Sequence, residues 1–416
     1  MIARVSEVRF FDLTLEEDWA VSEKVLMEEL QLASDVIKIV VFFDSVPLHR
    51  SSNVTSARAL CTKLKSTLPT AQIIACGPYC MIRKEHERVA DVTIVNEPEC
   101  SIIPVLEGQL EDGCLTSEDD SIRQIRLLTS LEHLPIPDRS LLPKHCETPV
   151  SEHNSQQLAL SAVVSTTRGC SGACTFCPRG AWNQRKIRHR PIDTVVEEIY
   201  RLIQLGYRNI WIDDENMGVD AEWSISLFRK ITVVNPDRDC GLYISAWGGL
   251  PERFFEYAFR AGVRIVSFGV ESGSDAVLRY FRKPVKARSI SDSISHADRH
   301  GIFTVANLII GAPCETDEDV SKTIEFLRNV PIDEAHVKIL SYIRGATLWE
   351  NAVKDGRISE YEECVFADAD RGLSNRSFNI LKKQQEHIRN IFAGDVHRRS
   401  RLASKIAQYG TPYLLK

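Results

Sequence analysis

Between Thr166 and Gly180 the chain reads TTRGCSGACTFCPRG, which sets Cys170, Cys174 and Cys177 in a CxxxCxxC spacing. Three thiolates within eight residues can reach one small inorganic core, and thiolates suit iron-sulfur clusters and zinc. A closed structural site needs a fourth ligand. None of the remaining cysteines, from a total of 12, brings a partner at ligand spacing nearby. One metal corner is therefore left for an outside ligand; a zinc site completed by His189 is the competing reading.

The cysteine loop follows an apolar run, LALSAVVS from Leu158. Five more strand-like runs come after it: RNIWIDDE, GLYISAW, RIVSFGVE, TVANLIIGAP and AHVKILSYI. The stretches between them carry helical periodicity, as in IDTVVEEIYRLIQLG, where Val195, Ile199, Leu202 and Ile203 recur at i, i+4, i+7 and i+8. Six parallel strands with intervening helices make an α/β barrel or an open part of one. In such barrels chemistry sits at the carboxyl ends of the strands.

Upstream, residues 1–125 read as a small Rossmann-like α/β unit, with strands at Val36–Phe43, Ala71–Cys80 and from Asp91, and a helix over Ser52–Leu68. A Pro-punctuated connection, LEHLPIPDRSLLPKH, lies in a linker over residues 126–157. Residues 351–416 form a C-terminal extension that is basic and helical, and its HRR run, His397 to Arg399, reads as a solvated face or a dock for an acidic redox donor.

The chain has 416 residues, 44% hydrophobic and 26% charged, with a net charge of −6. That balance argues against coating phosphate backbones or anionic membranes, so neither nucleic acid nor membrane is an expected partner. No apolar run approaches the ~18 residues of a membrane span. The opening MIARVSEVRFFDLTLEEDW turns acidic where an export segment is apolar, which predicts a cytoplasmic protein. Thiols there stay reduced, so clustered cysteines point to metal or redox chemistry before disulfides.

With its strand context, the cysteine loop resembles the signature of the radical S-adenosylmethionine (radical SAM) superfamily. The resemblance implies a partial (β/α)6 barrel of the TIM type over residues 158–350 and a 4Fe-4S cluster held by Cys170, Cys174 and Cys177, with SAM on the open iron as source of a 5′-deoxyadenosyl radical. RGCSGACTFC, WIDDEN, FGVESGSDAVL, LIIGAP with ETDED, and RGATLWENA are further similar to the subgroup that couples a cobalamin-binding-like domain to the barrel. The first unit is too short for that domain's full first strand and Gly-rich loop, and it is read as truncated. Cobalamin is accordingly not expected. Only Cys364 lies beyond the barrel, so a single cluster is expected.

The resemblance also implies site roles. Phe176 corresponds to an aromatic near adenine, or else is a core ring. Asp213 and Asp214 stand where relatives bind the SAM amino group, with Glu215 as a catalytic candidate; strand alternation lets only one or two of the three point into the mouth. Glu271 matches a carboxylate near the SAM ribose or amino group, and Lys283 or Arg282 a partner of the SAM carboxylate. Ser245 and Trp247 close the third strand as pocket wall. Lys338 and Tyr342 share a strand face by even spacing and are candidates for proton donation or for binding a leaving hydroxyl. His336 is in phase with them but lower, and reads as a core histidine.

For the reaction, the chain resembles the radical SAM diol dehydratases of aminoglycoside biosynthesis, which implies radical dehydration of a polar, cationic amino sugar and a downstream reductase. A flavodoxin- or ferredoxin-type protein is the implied electron donor. Asp213, Asp214, Glu215, Glu271, Asp275 and Glu315 would complement the substrate's ammonium groups. A cobalamin-dependent C-methyltransferase and a non-catalytic cluster-binding scaffold are the alternatives.

Overall fold

The computed structural model describes Leu26, Glu28 and residues 38–43, 51–78, 80, 90–109, 114–116, 126–141, 160–179, 185–362 and 364–412. The chain divides into two compact units, Met1–Cys146 and Glu147–Lys416. Parts of the expected linker and the first two residues of the LALSAVVS run lie outside the described residues.

The first unit contains β1 (Lys38–Phe42), α1 (Ser51–Thr67), β2 (Gln72–Cys76), β3 (Val92–Ile94), α2 (Pro98–Leu106) and β4 (Cys114–Thr116). They form one sheet of order β1-β2-β3-β4, parallel except at β4. The apolar run QIIAC of β2 is explained by burial on both faces. Ile73 and Ala75 pack with Leu60 and Leu64 of α1, whereas Ile74 and Cys76 pack with Ile102 and Val105 of α2. β2 stops at Gly77 rather than running on to Cys80. Gly77 holds φ +115°, and a Cβ there would lie 2.5 Å from the Phe43 carbonyl oxygen, so only glycine lets the two strand ends close together.

The second unit begins with β5 (Ser161–Val164), the short antiparallel pair β6 (Thr167–Arg168) and β7 (Arg188–His189), and α3 (Ile192–Gln204). It continues through β8 (Asn209–Ile212), α4 (Ala221–Val234), β9 (Gly241–Ala246), α5 (Glu252–Ala261), β10 (Val263–Glu271), α6 (Asp275–Tyr280), α7 (Ala287–Arg299), β11 (Phe303–Ile310), α8 (Asp317–Asn329) and β12 (Glu334–Ile339). It closes with β13 (Ser341–Ile343), α9 (Thr347–Lys354), β14 (Cys364–Phe366), α10 (Phe378–Gly394) and α11 (Val396–Tyr409). Six strands make an all-parallel sheet whose spatial order, β12-β11-β10-β9-β8-β5, is the sequence order. Right-handed crossovers in one direction place the intervening helices on one face. Ala162, Ile210, Leu242, Val266 and Ala306 of that face join the main core with helix residues such as Ile199, Phe228 and Ile294. The opposite, inner face carries residues of the other parity, including Val163 (54% exposed) and Trp211 (39%).

Two readings of this region are corrected. AHVKILSYI is not one strand: β12 ends level with the end of β11 (Ile310 opposite Ile339), and Ser341–Ile343 then pairs antiparallel with β14. Once β11 turns away at Gly311 (φ +93°), no sheet neighbour remains to hold the next residues. The basic α11 is not simply solvated. Lys405 Nζ lies 2.7 Å from both Asp298 and Asp333, and Arg398 and Arg401 donate to the Asp333 and Ile332 carbonyls at 2.8 and 2.6 Å. Leu402 packs beside Tyr243, Ile265 and Phe303, so α11 covers the amino end of the inner face.

Candidate functional site

The cysteine loop leaves the carboxyl end of β5, and its root is clamped from β8. Asp214, 2% exposed, accepts hydrogen bonds from the backbone N–H groups of Thr166 (2.7 Å) and Thr167 (3.0 Å) and from both threonine hydroxyls. Burial pushes its carboxyl up to about 6 against the pull of those bonds. Glu215 accepts from the Gly169 N–H at 3.1 Å. Two of the three acidic residues assigned to cofactor or catalysis thus brace the loop. Asp213 is the exposed member of the triplet.

Further along, Thr175 N donates to the Phe281 carbonyl and Leu348 N to the Thr175 carbonyl, both at 2.9 Å. These bonds sew the loop between the end of α6 and the start of α9. Phe176 sets its ring edge-on to Phe281 at 5.0 Å and packs against the core. Burial pushes all three thiols up, Cys174 to about 12, while the Lys283 charge pulls each of them down. The donor set is three soft sulfurs, and among the described residues no imidazole joins them: His189, on β7, lies tilted against Trp223 at 4.6 Å and faces Asp220 at 3.7 Å. That removes the fourth ligand of the zinc reading. Among the described residues no group of three or more His, Cys, Asp or Glu side chains is gathered closely enough to hold a metal ion, the three cysteines included. One loop supplies the three thiols, and such a donor set fits an iron-sulfur cluster with a corner for an outside ligand.

At the end of β10 the register shifts between Gly269 and Glu271, and Glu271 holds φ +61°, a conformation that costs a non-glycine residue free energy. The shift turns its carboxylate to Lys283, whose Nζ lies 2.8 Å from Oε1; the side chains are 9% and 1% exposed. Lys283 also sits 4.7 Å from the Trp247 ring centroid. A Cβ on Gly269 would meet both Glu271 Oε1 (2.7 Å) and Lys283 Nζ (2.8 Å), and one on Gly172 would lie 2.4 Å from Trp247 Cη2. Cysteine loop, indole and ion pair therefore form one stack that two glycines make possible. Arg282, the other candidate, is exposed.

Asn216 was not singled out by sequence, yet it ties β8 to β9. Its Oδ1 accepts from Trp247 N at 3.1 Å and Gly218 N at 3.3 Å, and it is 3% exposed. The signal was its place directly after a strand-end acidic triplet that drew attention to itself.

Ser245 is exposed on the inner face opposite Ser267. Lys338 lies on that face opposite Ile309. Tyr342 does not join it: on β13, 2% exposed, its hydroxyl donates to the Leu373 carbonyl at 2.7 Å. The expected shared face of Lys338 and Tyr342 is therefore corrected: Tyr342 lies on a different strand pair, with its hydroxyl engaged. His336 is not a core histidine either, being 44% exposed with Nε2 2.7 Å from Glu334. Glu315, 1% exposed, accepts from Gly311 N at 2.8 Å and faces Arg376 at 3.5 Å, while Asp275 accepts from Ala287 N at 2.9 Å. Asp214, Glu215, Glu271 and Glu315 are thus engaged by partners within the protein, while Asp275 is exposed and accepts one backbone hydrogen bond.

Residues 164–327 match the profile of the Radical SAM superfamily. Over 234 residues, 55% of this chain and 48% of the relative, the sequence is 27% identical to an uncharacterized methyltransferase of Pyrococcus horikoshii; the match spans about half of that protein. Two solved structures share the fold over nearly the whole chain. The radical S-adenosylmethionine methyltransferase TsrM of Kitasatospora setae aligns with a TM-score of 0.68 at 15% identity, covering 100% of this chain and 80% of its own. The cobalamin-dependent S-adenosylmethionine radical enzyme OxsB aligns with a TM-score of 0.69 at 14% identity, covering 98% and 66%. Among the described residues no helix is long and apolar enough to cross a membrane.

Proposed function

We propose that the chain is a radical SAM enzyme that transfers a methyl group in a cobalamin-dependent reaction. The observation that carries this reading is that the fold match to OxsB, a structure with aqua-cobalamin and SAM bound, covers 98% of this chain and so runs through both units rather than residues 164–327 alone. It replaces dehydration of a cationic amino sugar, which rested on carboxylates of which Asp214, Glu215, Glu271 and Glu315 are engaged within the protein and on a first unit read as too short for cobalamin.

Cys170, Cys174 and Cys177 would hold the cluster, Glu271 would accept hydrogen bonds from SAM, and Trp247 would wall the site. When bound, cluster, SAM and cobalamin supply a carbon radical and a transferable methyl group. The chain's own work is to orient and to exclude water: the Asp214 and Glu215 clamps fix the loop, and α11 closes the amino end of the inner face, which we read as the interior of a partial barrel.

Protein produced with hydroxocobalamin and reconstituted anaerobically tests the reading. About four irons per chain together with a stoichiometric corrin band, and a product heavier by one methyl group, are the expected results. Iron without corrin, and a product lighter by one water, would return the dehydration reading.

A further inference from the structure

The charge left open near the carboxyl ends of β10–β12 is positive. Glu271 is neutralised by Lys283, and lower on the inner face Glu334 is engaged by His336 and Asn307 donates to Ser267 at 2.8 Å. Lys338 has no hydrogen-bond or ion-pair partner among the described residues. Its register places it on the mouth level: Glu271 stands opposite Leu308 and Lys338 opposite Ile309. With strands ~4.8 Å apart, two strand spacings put its backbone about 10 Å from that of Glu271. The side chain is half-buried, and burial pushes its amine down while the Glu271 charge pulls it up. A half-buried ammonium with no direct partner among the described residues carries a desolvation cost that an arriving anion recovers.

We propose that Lys338 anchors an oxyanion, a carboxylate or phosphate carried by the substrate or the carboxylate of SAM, in the mouth of the second unit. This deepens the proposed function by fixing the charge of a bound group, and it reverses the cationic preference expected from the carboxylate count.

The test follows amine acetylation at Lys338, read by peptide mass spectrometry in cluster-loaded protein, with inorganic phosphate, SAM or spermidine as competitor. Slowing by phosphate with SAM already bound assigns the anion to the substrate, and slowing by SAM alone assigns it to SAM. No slowing by either, or slowing by spermidine only, overturns the proposal. Calorimetric titration with phosphate is the second measurement. Lys338→Gln should weaken binding about tenfold or more, with Lys338→Arg restoring most of it; equal binding by Lys338→Gln also overturns it. Iron content and the corrin band, measured on the same samples, report failure of the broader reading separately.

Discussion

Lys283 Nζ stands 2.8 Å from Glu271 Oε1 with both side chains almost fully enclosed, and the Glu271 backbone accepts φ +61° at this contact. An ion pair in such a place is weak evidence for stability, because desolvation offsets attraction. Its retention beside the cysteine loop, where it also faces Trp247, marks it as part of the site.

Breaking the pair from one side leaves a buried charge. Lys283→Met or Glu271→Gln should each cost about 3–5 kcal/mol, and the double variant much less than their sum. Denaturant midpoints of the four proteins measure this. Additive losses would show that the two side chains do not interact.

The buried Glu315 makes stability depend on pH. Burial pushes its carboxyl from the ordinary 4.5 up to about 7, although Gly311 N–H and Arg376 oppose the shift. Between those values the folded protein holds a proton that the unfolded chain has released. Stability contributed by this group is therefore complete below about 4.5 and lost as pH rises through about 7, by an amount on the order of 3 kcal/mol. Melting temperatures across that range should fall with pH in the wild type, and the slope should flatten in Glu315→Gln. An unchanged slope in the variant refutes the assignment.

Tyr342 separates a structural role from a catalytic one. Tyr342→Phe removes the donor to the Leu373 carbonyl and should cost about 1–2 kcal/mol. Reductive SAM cleavage per loaded cluster should stay at the wild-type rate. A loss of cleavage without a loss of stability would restore the catalytic assignment.

Gly169 carries φ +100°, and a Cβ there would lie 1.8 Å from the Lys186 carbonyl oxygen. Gly169→Ala must displace the loop root beside Cys170. Iron per chain after reconstitution should fall to under about half of wild type, while the first unit stays folded because its core is separate. Wild-type iron content in this variant would mean that the loop tolerates the shift.

Alternation and spacing alone gave the six strands, the intervening helices and the cysteine loop on the first strand's exit, because apolar periodicity and ligand spacing are local properties of a chain. The same local information showed that Asp213, Asp214 and Glu215 end a strand. It could not tell that Asp214 turns back to the Thr166 and Thr167 amides, since that depends on how β8 lies beside β5. Even spacing placed Lys338 and Tyr342 on one face only while the strand was assumed to run on. The end of β11 at Ile310 removed the neighbour that would have kept it straight, and Tyr342 left the sheet. Charge was legible as a count and misleading as a map. Six carboxylates suggested a cationic ligand until partners from distant segments, Lys283, Arg376 and the loop amides, engaged Glu271, Glu315, Asp214 and Glu215. Sequence thus determined which chemistry the loop offers, whereas tertiary structure decided which charges remain free to meet a ligand, because pairing is settled by distances between residues far apart in the chain.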